Sequence, residues 1–150
     1  MEEESTRVEG GCLCGTVRYE AQALLHNTYY CHCRTCQRSS GTPAEASVPV
    51  TTGSLHFTGA EPRYFRSSPF AERGFCSNCG SRLTYRTLSG DYFTVTVGSL
   101  DHPESARPEK HYCVESQIPW YKTDDKLPRL RTDEVPELVA LWSGAEQKDA

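Results

Sequence analysis

Cys12-Leu13-Cys14, Cys31-His32-Cys33-Arg34-Thr35-Cys36 and Cys76-Ser77-Asn78-Cys79-Gly80 hold seven of the eight cysteines in a chain of 150 residues. Each stretch has the spacing of a metal-ligand cluster. In an extended Cys-x-Cys, side chains i and i+2 share a face, so Cys12 and Cys14 reach one ion while Leu13 points to the core. The same alternation turns His32 away from an ion shared by Cys31 and Cys33. The Cys76–Gly80 stretch has the form of a zinc knuckle. Its two intervening residues make a tight turn, and Gly80 tolerates the positive φ that aims backbone N–H groups at sulfur.

A knuckle supplies two ligands and needs two more, and the Cys12/Cys14 pair is the natural complement. The expected first site is Cys12, Cys14, Cys76 and Cys79, a closed tetrahedral zinc of the structural kind. Cys31, Cys33 and Cys36 then form a three-thiolate site whose fourth position is open to water or substrate. Three thiolates on a divalent zinc leave a net charge of about −1, which makes a weak Lewis acid. Such an ion suits a soft fourth ligand, such as a substrate thiolate, or a small carbonyl. Arg34, Gln37 and Arg38 stand close by, to offset that negative charge or to bind an anionic substrate, with surface salt bridging as the alternative for the arginines. Cys113 is isolated at an expected strand position. It reads as a buried structural thiol, with a fourth ligand to the second site as the alternative.

The bulk properties narrow the class. The length is that of one domain. The composition is 37% hydrophobic and 24% charged, with a net charge of −4, so no basic footprint for nucleic acid is present. The acidic start, Met1-Glu2-Glu3-Glu4-Ser5, lacks the apolar core of a signal peptide. No apolar run approaches the roughly 20 residues that span a bilayer. The expectation is a cytoplasmic protein, in which cysteines bind metal rather than form disulfides.

Periodicity and turn residues predict a mainly β fold of many short strands. The candidates are residues 17–21, 27–30, 44–50, 54–58, 63–66, 73–75, 82–87, 92–97 and 111–115. One helical turn is expected over 34–40, stopped by Gly41. Residues 101–110 read as a loop and 123–131 as polar. A short C-terminal helix is expected from a cap at Thr132 or Asp133 through Trp142, ended by Gly144. The expected organisation is a polar, disordered leader at 1–7, one zinc domain at 8–143 and a polar tail at 144–150. Trp120 and Tyr121 read as core aromatics.

Gly10-Gly11-Cys12-Leu13-Cys14-Gly15-Thr16-Val17-Arg18-Tyr19, Cys31 to Arg38, Phe75 to Ser81 and Pro119-Trp120-Tyr121 together resemble the glutathione-dependent formaldehyde-activating enzyme family, to which centromere protein V also belongs. The resemblance covers about residues 8–122. It implies a mainly β, Mss4-like "β-tent" fold with two zincs. Cys12, Cys14, Cys76 and Cys79 would hold the structural ion, and Cys31, Cys33 and Cys36 the catalytic one. It implies a carbon–sulfur lyase that joins formaldehyde and glutathione to S-hydroxymethylglutathione. On this reading the partner is a small-molecule substrate, with glutathione the named candidate, and neither nucleic acid nor membrane. Two alternatives stand beside it: a zinc enzyme acting on another small carbonyl metabolite, and a non-catalytic zinc module that binds a protein. The sequence reveals no dedicated general base, with His111 and Tyr112 as unsupported candidates.

Overall fold

Two hairpins built to the same plan carry the first two cysteine pairs, and a single mixed sheet brings their tips together. The computed structural model describes residues 3–148. Strand β1 (Thr6–Gly11) pairs antiparallel with β2 (Arg18–Ala23), closing at Gly11↔Arg18. In β2 the buried positions alternate strictly, so Tyr19, Ala21 and Ala23 face the core while Arg18, Glu20 and Gln22 are half-buried on the other side. Further along, β7 (Ala71–Phe75) pairs with β8 (Arg82–Thr87), closing at Phe75↔Arg82 after a register shift at Gly74.

Between these hairpins run β3 (Tyr29–Cys31), helix α1 (Arg34–Ser40), β4 (Glu45–Val50), β5 (His56–Phe57) and β6 (Arg63–Ser68). After them come β9 (Phe93–Thr96), β10 (His111–Tyr112), β11 (Arg129–Leu130) and helix α2 (Pro136–Lys148). The sheet order is β11-β10-β3-β4-β9-β8-β7-β6, with the β1–β2 hairpin branching off through Ala23↔Val50 and β5 pairing with β2. Only the pairs of β10 with β3 and β11 are parallel; the other named pairs are antiparallel. Among the described residues no helix is long and apolar enough to cross a membrane.

The main core gathers Val17, Tyr19, Ala21, Val48, Leu83 and Val95, and it includes Cys12 and Cys76. A second, separate cluster gathers Cys31, Cys36 and Cys113 under Tyr29, Tyr112 and Leu138. Each cysteine group therefore sits on its own piece of core.

The mainly β expectation holds, with differences at the ends of elements. Thr6 and Arg7 belong to β1, because Thr6↔Ala23 and Arg7↔Gln22 are paired and Arg7 bridges Glu9 and Glu20. The segment 123–131 supplies β11, which docks on the two-residue β10. Cys113 to Glu115 do not extend that strand: Cys113 turns to φ 60 and a 3₁₀ turn follows over Val114–Ser116. Thr132–Glu134 forms its own 3₁₀ turn, and α2 starts at Pro136 and passes through Gly144 to Lys148. Trp120 is 73% exposed rather than in the core.

Candidate metal centres

The tip of the β1–β2 hairpin is a loop rather than a strand, and its backbone is folded around sulfur. Cys12 N–H donates to Val17 O at 3.0 Å, and Gly15, at φ 81, donates to Cys12 O at 3.1 Å. Val17 N–H then reaches the Cys12 Sγ at 3.2 Å. The β7–β8 tip repeats the design. Cys76 N–H donates to Ser81 O, Gly80 at φ 81 donates to Cys76 O, and Cys79 N–H lies 3.5 Å from Cys76 Sγ. Leu13 N–H donates to Ser81 Oγ at 3.0 Å and locks one tip to the other. Because Cys12 and Cys14 lie in this turn, strand alternation does not apply to Leu13. It is 90% exposed instead of facing the core.

The sulfurs of Cys12, Cys14, Cys76 and Cys79 all lie within 4.8 Å of one another, an all-sulfur set that could hold a metal ion. Hydrogen bonds already favour the thiolate form that a metal needs. Thr16 first, and then Asn78 through its Nδ2 at 3.3 Å, bring the Cys14 thiol down to about 5. Ser81 brings Cys79 down to about 7.

The second set is Cys31, Cys33 and Cys36, whose sulfurs also lie within 4.8 Å of one another. Cys31 ends β3, where it pairs with Glu45 of β4 and Tyr112 of β10. Cys33 is the N-cap of α1 and accepts Cys36 N–H at 3.3 Å, which places Cys36 in the first helical turn beside it. Gly41, at φ 71, ends that helix as expected. His32 is fully buried and points away from this set. Its Nε2 pairs with His111 Nδ1 at 2.8 Å, and His111 Nε2 pairs with Asp125 Oδ2 at 2.8 Å. With the carboxylate accepting from His111, the network has His32 donate through Nε2 and leaves its buried Nδ1 without a partner among the described residues. Burial, and then the neighbouring His111, lowers His32 to about 4, so its ring is neutral at ordinary pH.

Gln37 is buried and fully engaged. Its Nε2 donates to His32 O at 2.8 Å and Ser116 O at 3.0 Å, and its Oε1 accepts from Arg34 Nη1 at 2.6 Å. It therefore braces α1 against the turn after Cys113, with both amide hydrogens already donated. Arg34 and Arg38 are exposed on the outer face of α1. His111 is taken up by His32 and Asp125, and Tyr112 packs edge-on against Tyr29.

The residue that sequence reasoning missed is Arg73. It is 5% exposed, and it donates to Cys36 Sγ at 3.4 Å, Ser39 Oγ at 3.2 Å and Glu45 Oε2 at 3.3 Å. Burial opposes its charge, but the Cys36 and Glu45 charges more than restore it, so its pKa stands above the ordinary arginine value. Glu45 also accepts from Arg82 Nη2 at 2.7 Å, and burial pushes the Glu45 carboxyl up and Arg82 down. The available signal was its position: Ala71 and Arg73 share the buried face of β7, an unusual place for an arginine. A cavity of about 810 Å³ opens between α1 and the β7–β8 hairpin, lined among others by Arg34, Arg38, Phe65, Arg73 and Arg82. Arg73 joins this cavity to Cys36.

Cys113 is buried in the second cluster with Cys31 and Cys36. It is not isolated, as its place in the sequence suggests.

Residues 7–116 match the model of the glutathione-dependent formaldehyde-activating enzyme family. A protein of Schizosaccharomyces pombe named as an uncharacterized lyase is 29% identical over 133 residues, covering 87% of this chain and 96% of that protein. The crystal structure of a Rhodobacter sphaeroides protein superposes with a TM-score of 0.52 at 17% identity, covering 81% of this chain and 98% of that one, a likeness of fold. With its two cysteine groups in place and the match running through both, the chain belongs to the glutathione-dependent formaldehyde-activating enzyme family.

Proposed function

We propose that the protein is a zinc-dependent carbon–sulfur lyase that makes and breaks the adduct of a small aldehyde with an anionic thiol. The observation that carries this reading is the union of an all-sulfur triad with a cavity lined by four arginines, joined through Arg73. Family membership and the lyase-named relative support the reaction class. In this reading Cys12, Cys14, Cys76 and Cys79 hold a structural zinc, and Cys31, Cys33 and Cys36 hold a second one with a position for substrate. When bound there, zinc supplies a soft Lewis-acid site that stabilises a thiolate or polarises a carbonyl.

The chain's own residues do the rest. The cavity has the size of a metabolite site. Its two exposed arginines, Arg34 and Arg38, suit carboxylates, which arginine binds through paired N–H donors. Glutathione, with two carboxylates, is the thiol to try first. In the addition, the thiol sulfur's electron pair forms the C–S bond, the carbonyl π pair moves to oxygen, and the thiol proton ends on that oxygen. Cleavage is the reverse. Arg73 sits against Cys36 and carries a positive charge to the edge of this reaction.

The test is an exchange measurement. Formaldehyde and glutathione are mixed at equilibrium, and the rate of adduct formation and cleavage is read by NMR with and without the zinc-loaded protein. Acceleration by wild type, lost in Cys36→Ser, is expected. A two-zinc protein that accelerates neither this pair nor other carboxylated thiols and aldehydes would sink the reading and favour a zinc-binding interaction module.

A further inference from the structure

A fourth cysteine, Cys113, is buried beside the three sulfurs of the second centre. We propose that Cys113 is a resident fourth ligand of the metal at Cys31, Cys33 and Cys36, holding the place that an incoming thiol must take. The proposal rests on the reading above that this triad binds zinc.

The placement is built by long-range structure. Parallel pairing of β10 with β3 sets Tyr112 against Cys31, so the next residue, Cys113, arrives beside the triad. There the backbone leaves the strand at φ 60, ψ 41. The thiol is buried in one cluster with Cys31 and Cys36, and Cys33 packs against that cluster. Gln37 fixes the distance: its amide ties His32 O, between two triad cysteines, to Ser116 O, three residues beyond Cys113. Zinc sites with all-thiolate donors take four of them in tetrahedral array, and Cys113 supplies a fourth sulfur from a separate element.

One feature makes this fourth ligand the exchangeable one. The mutual proximity that defines the metal-ready set includes Cys31, Cys33 and Cys36, whereas Cys113 stands just outside it. When a substrate thiol replaces it, the proton leaving that thiol balances the one taken up by the Cys113 sulfur, and the charge at the centre is unchanged.

The test uses the full chain, purified under reducing conditions and loaded with zinc or, for spectroscopy, with cobalt(II). Cys113→Gly removes the sulfur while suiting the left-handed backbone, and Cys113→Ser keeps a small polar side chain. Both variants should retain the first metal and the wild-type fold by circular dichroism. They should release the second zinc to a chelator at least about tenfold more readily, since losing even an outer-shell partner costs about 10–100-fold in affinity. The thiolate-to-cobalt absorption of the second centre should fall. Cys36→Ser serves as the reference for that centre. If Cys36→Ser loses the second metal and both Cys113 variants keep wild-type release and cobalt spectra, Cys113 is only a buried thiol and the proposal is overturned. If Cys36→Ser also leaves the metal content unchanged, the reading of the second centre fails with it.

Discussion

Arg73 Nη2 lies 3.4 Å from Cys36 Sγ, so a buried guanidinium from the middle of β7 donates to a sulfur of the second centre. The contact changes what that sulfur can give a metal. A thiolate that accepts a charge-assisted hydrogen bond donates less electron density, and a three-thiolate zinc, otherwise a weak Lewis acid, becomes a better one. Ser39, Ser67 and Glu45 hold the guanidinium in that pose, and it also lies over the Tyr85 ring at 5.1 Å.

Arg73→Lys separates this electrostatic contribution from simple charge. The ammonium keeps the positive charge but cannot serve sulfur, carboxylate and two hydroxyls at once. Adduct turnover should fall about 10–100-fold, the usual loss for a partner behind a metal ligand, while both metals are retained. Arg73→Leu is the harsher change. It strips Glu45 of a partner in the interior and should cost about 3–5 kcal/mol in denaturant unfolding. Unchanged turnover in Arg73→Lys would make the residue a purely structural tie.

The two centres should fail differently. Cys12, Cys14, Cys76 and Cys79 join the tips of two hairpins whose strands do not pair with each other directly, and Cys12 and Cys76 are themselves in the main core. Cys79→Ser should therefore abolish cooperative thermal unfolding, as metal loss does in small zinc-tied domains. Cys36→Ser should keep a cooperative transition and lose about one zinc per chain. Metal analysis with a thermal melt on each variant decides the matter, and a retained sharp transition in Cys79→Ser would contradict the assignment of the structural site.

Arg38 points outward at the cavity. Arg38→Ala should raise KM for a dianionic thiol about fivefold, the value of one exposed charge pair of roughly 1 kcal/mol, with kcat little changed. A neutral thiol such as 2-mercaptoethanol should show no such difference. Added salt should shrink the effect, because an exposed contact is screened. Equal KM changes for charged and neutral thiols would remove the anion-binding role.

What could be read from the chain alone was whatever depends on short-range geometry. The Cys12/Cys14, Cys76/Cys79 and Cys31/Cys33/Cys36 groups were legible because their spacing is local, and pairing the first two needed only the count of ligands. The Gly41 stop and the aversion of His32 from the triad were legible for the same reason. Leu13 was misjudged because strand alternation was applied to what is a hairpin tip between Gly11 and Arg18. Arg73 was not picked out, and Cys113 was offered only as an alternative ligand, because their partners lie far away in sequence. One meets Cys36 across 37 residues, and the other meets Cys31 only through the pairing of β10 with β3. Gln37 was read as a substrate ligand because its place on α1 was visible, while its partner Ser116, 79 residues away, was not.

Tyr19 helps set an alkaline limit of the fold, beside Tyr29, Tyr85 and Tyr92, whose pKa values burial also raises. It is 1% exposed, its hydroxyl is 2.7 Å from Ser99 Oγ, and Gly10 packs so closely that an added Cβ would lie 2.4 Å from the Tyr19 oxygen. Burial raises its pKa to about 12, against 10.0 for the free side chain. A group whose pKa is raised on folding contributes fully below the unfolded value, and the contribution is lost as pH climbs through the folded one. Stability should therefore decline between pH 10 and about 12, with Tyr19 accounting for about 3 kcal/mol of the fall. Tyr19→Phe removes the ionisable group and keeps the ring. Its unfolding free energy should be somewhat lower near neutrality, by about 1 kcal/mol for the lost hydrogen bond. Its decline above pH 10 should be shallower than that of wild type. Urea titrations of both proteins from pH 8 to 12 measure this, and parallel curves would show that Tyr19 does not set the limit.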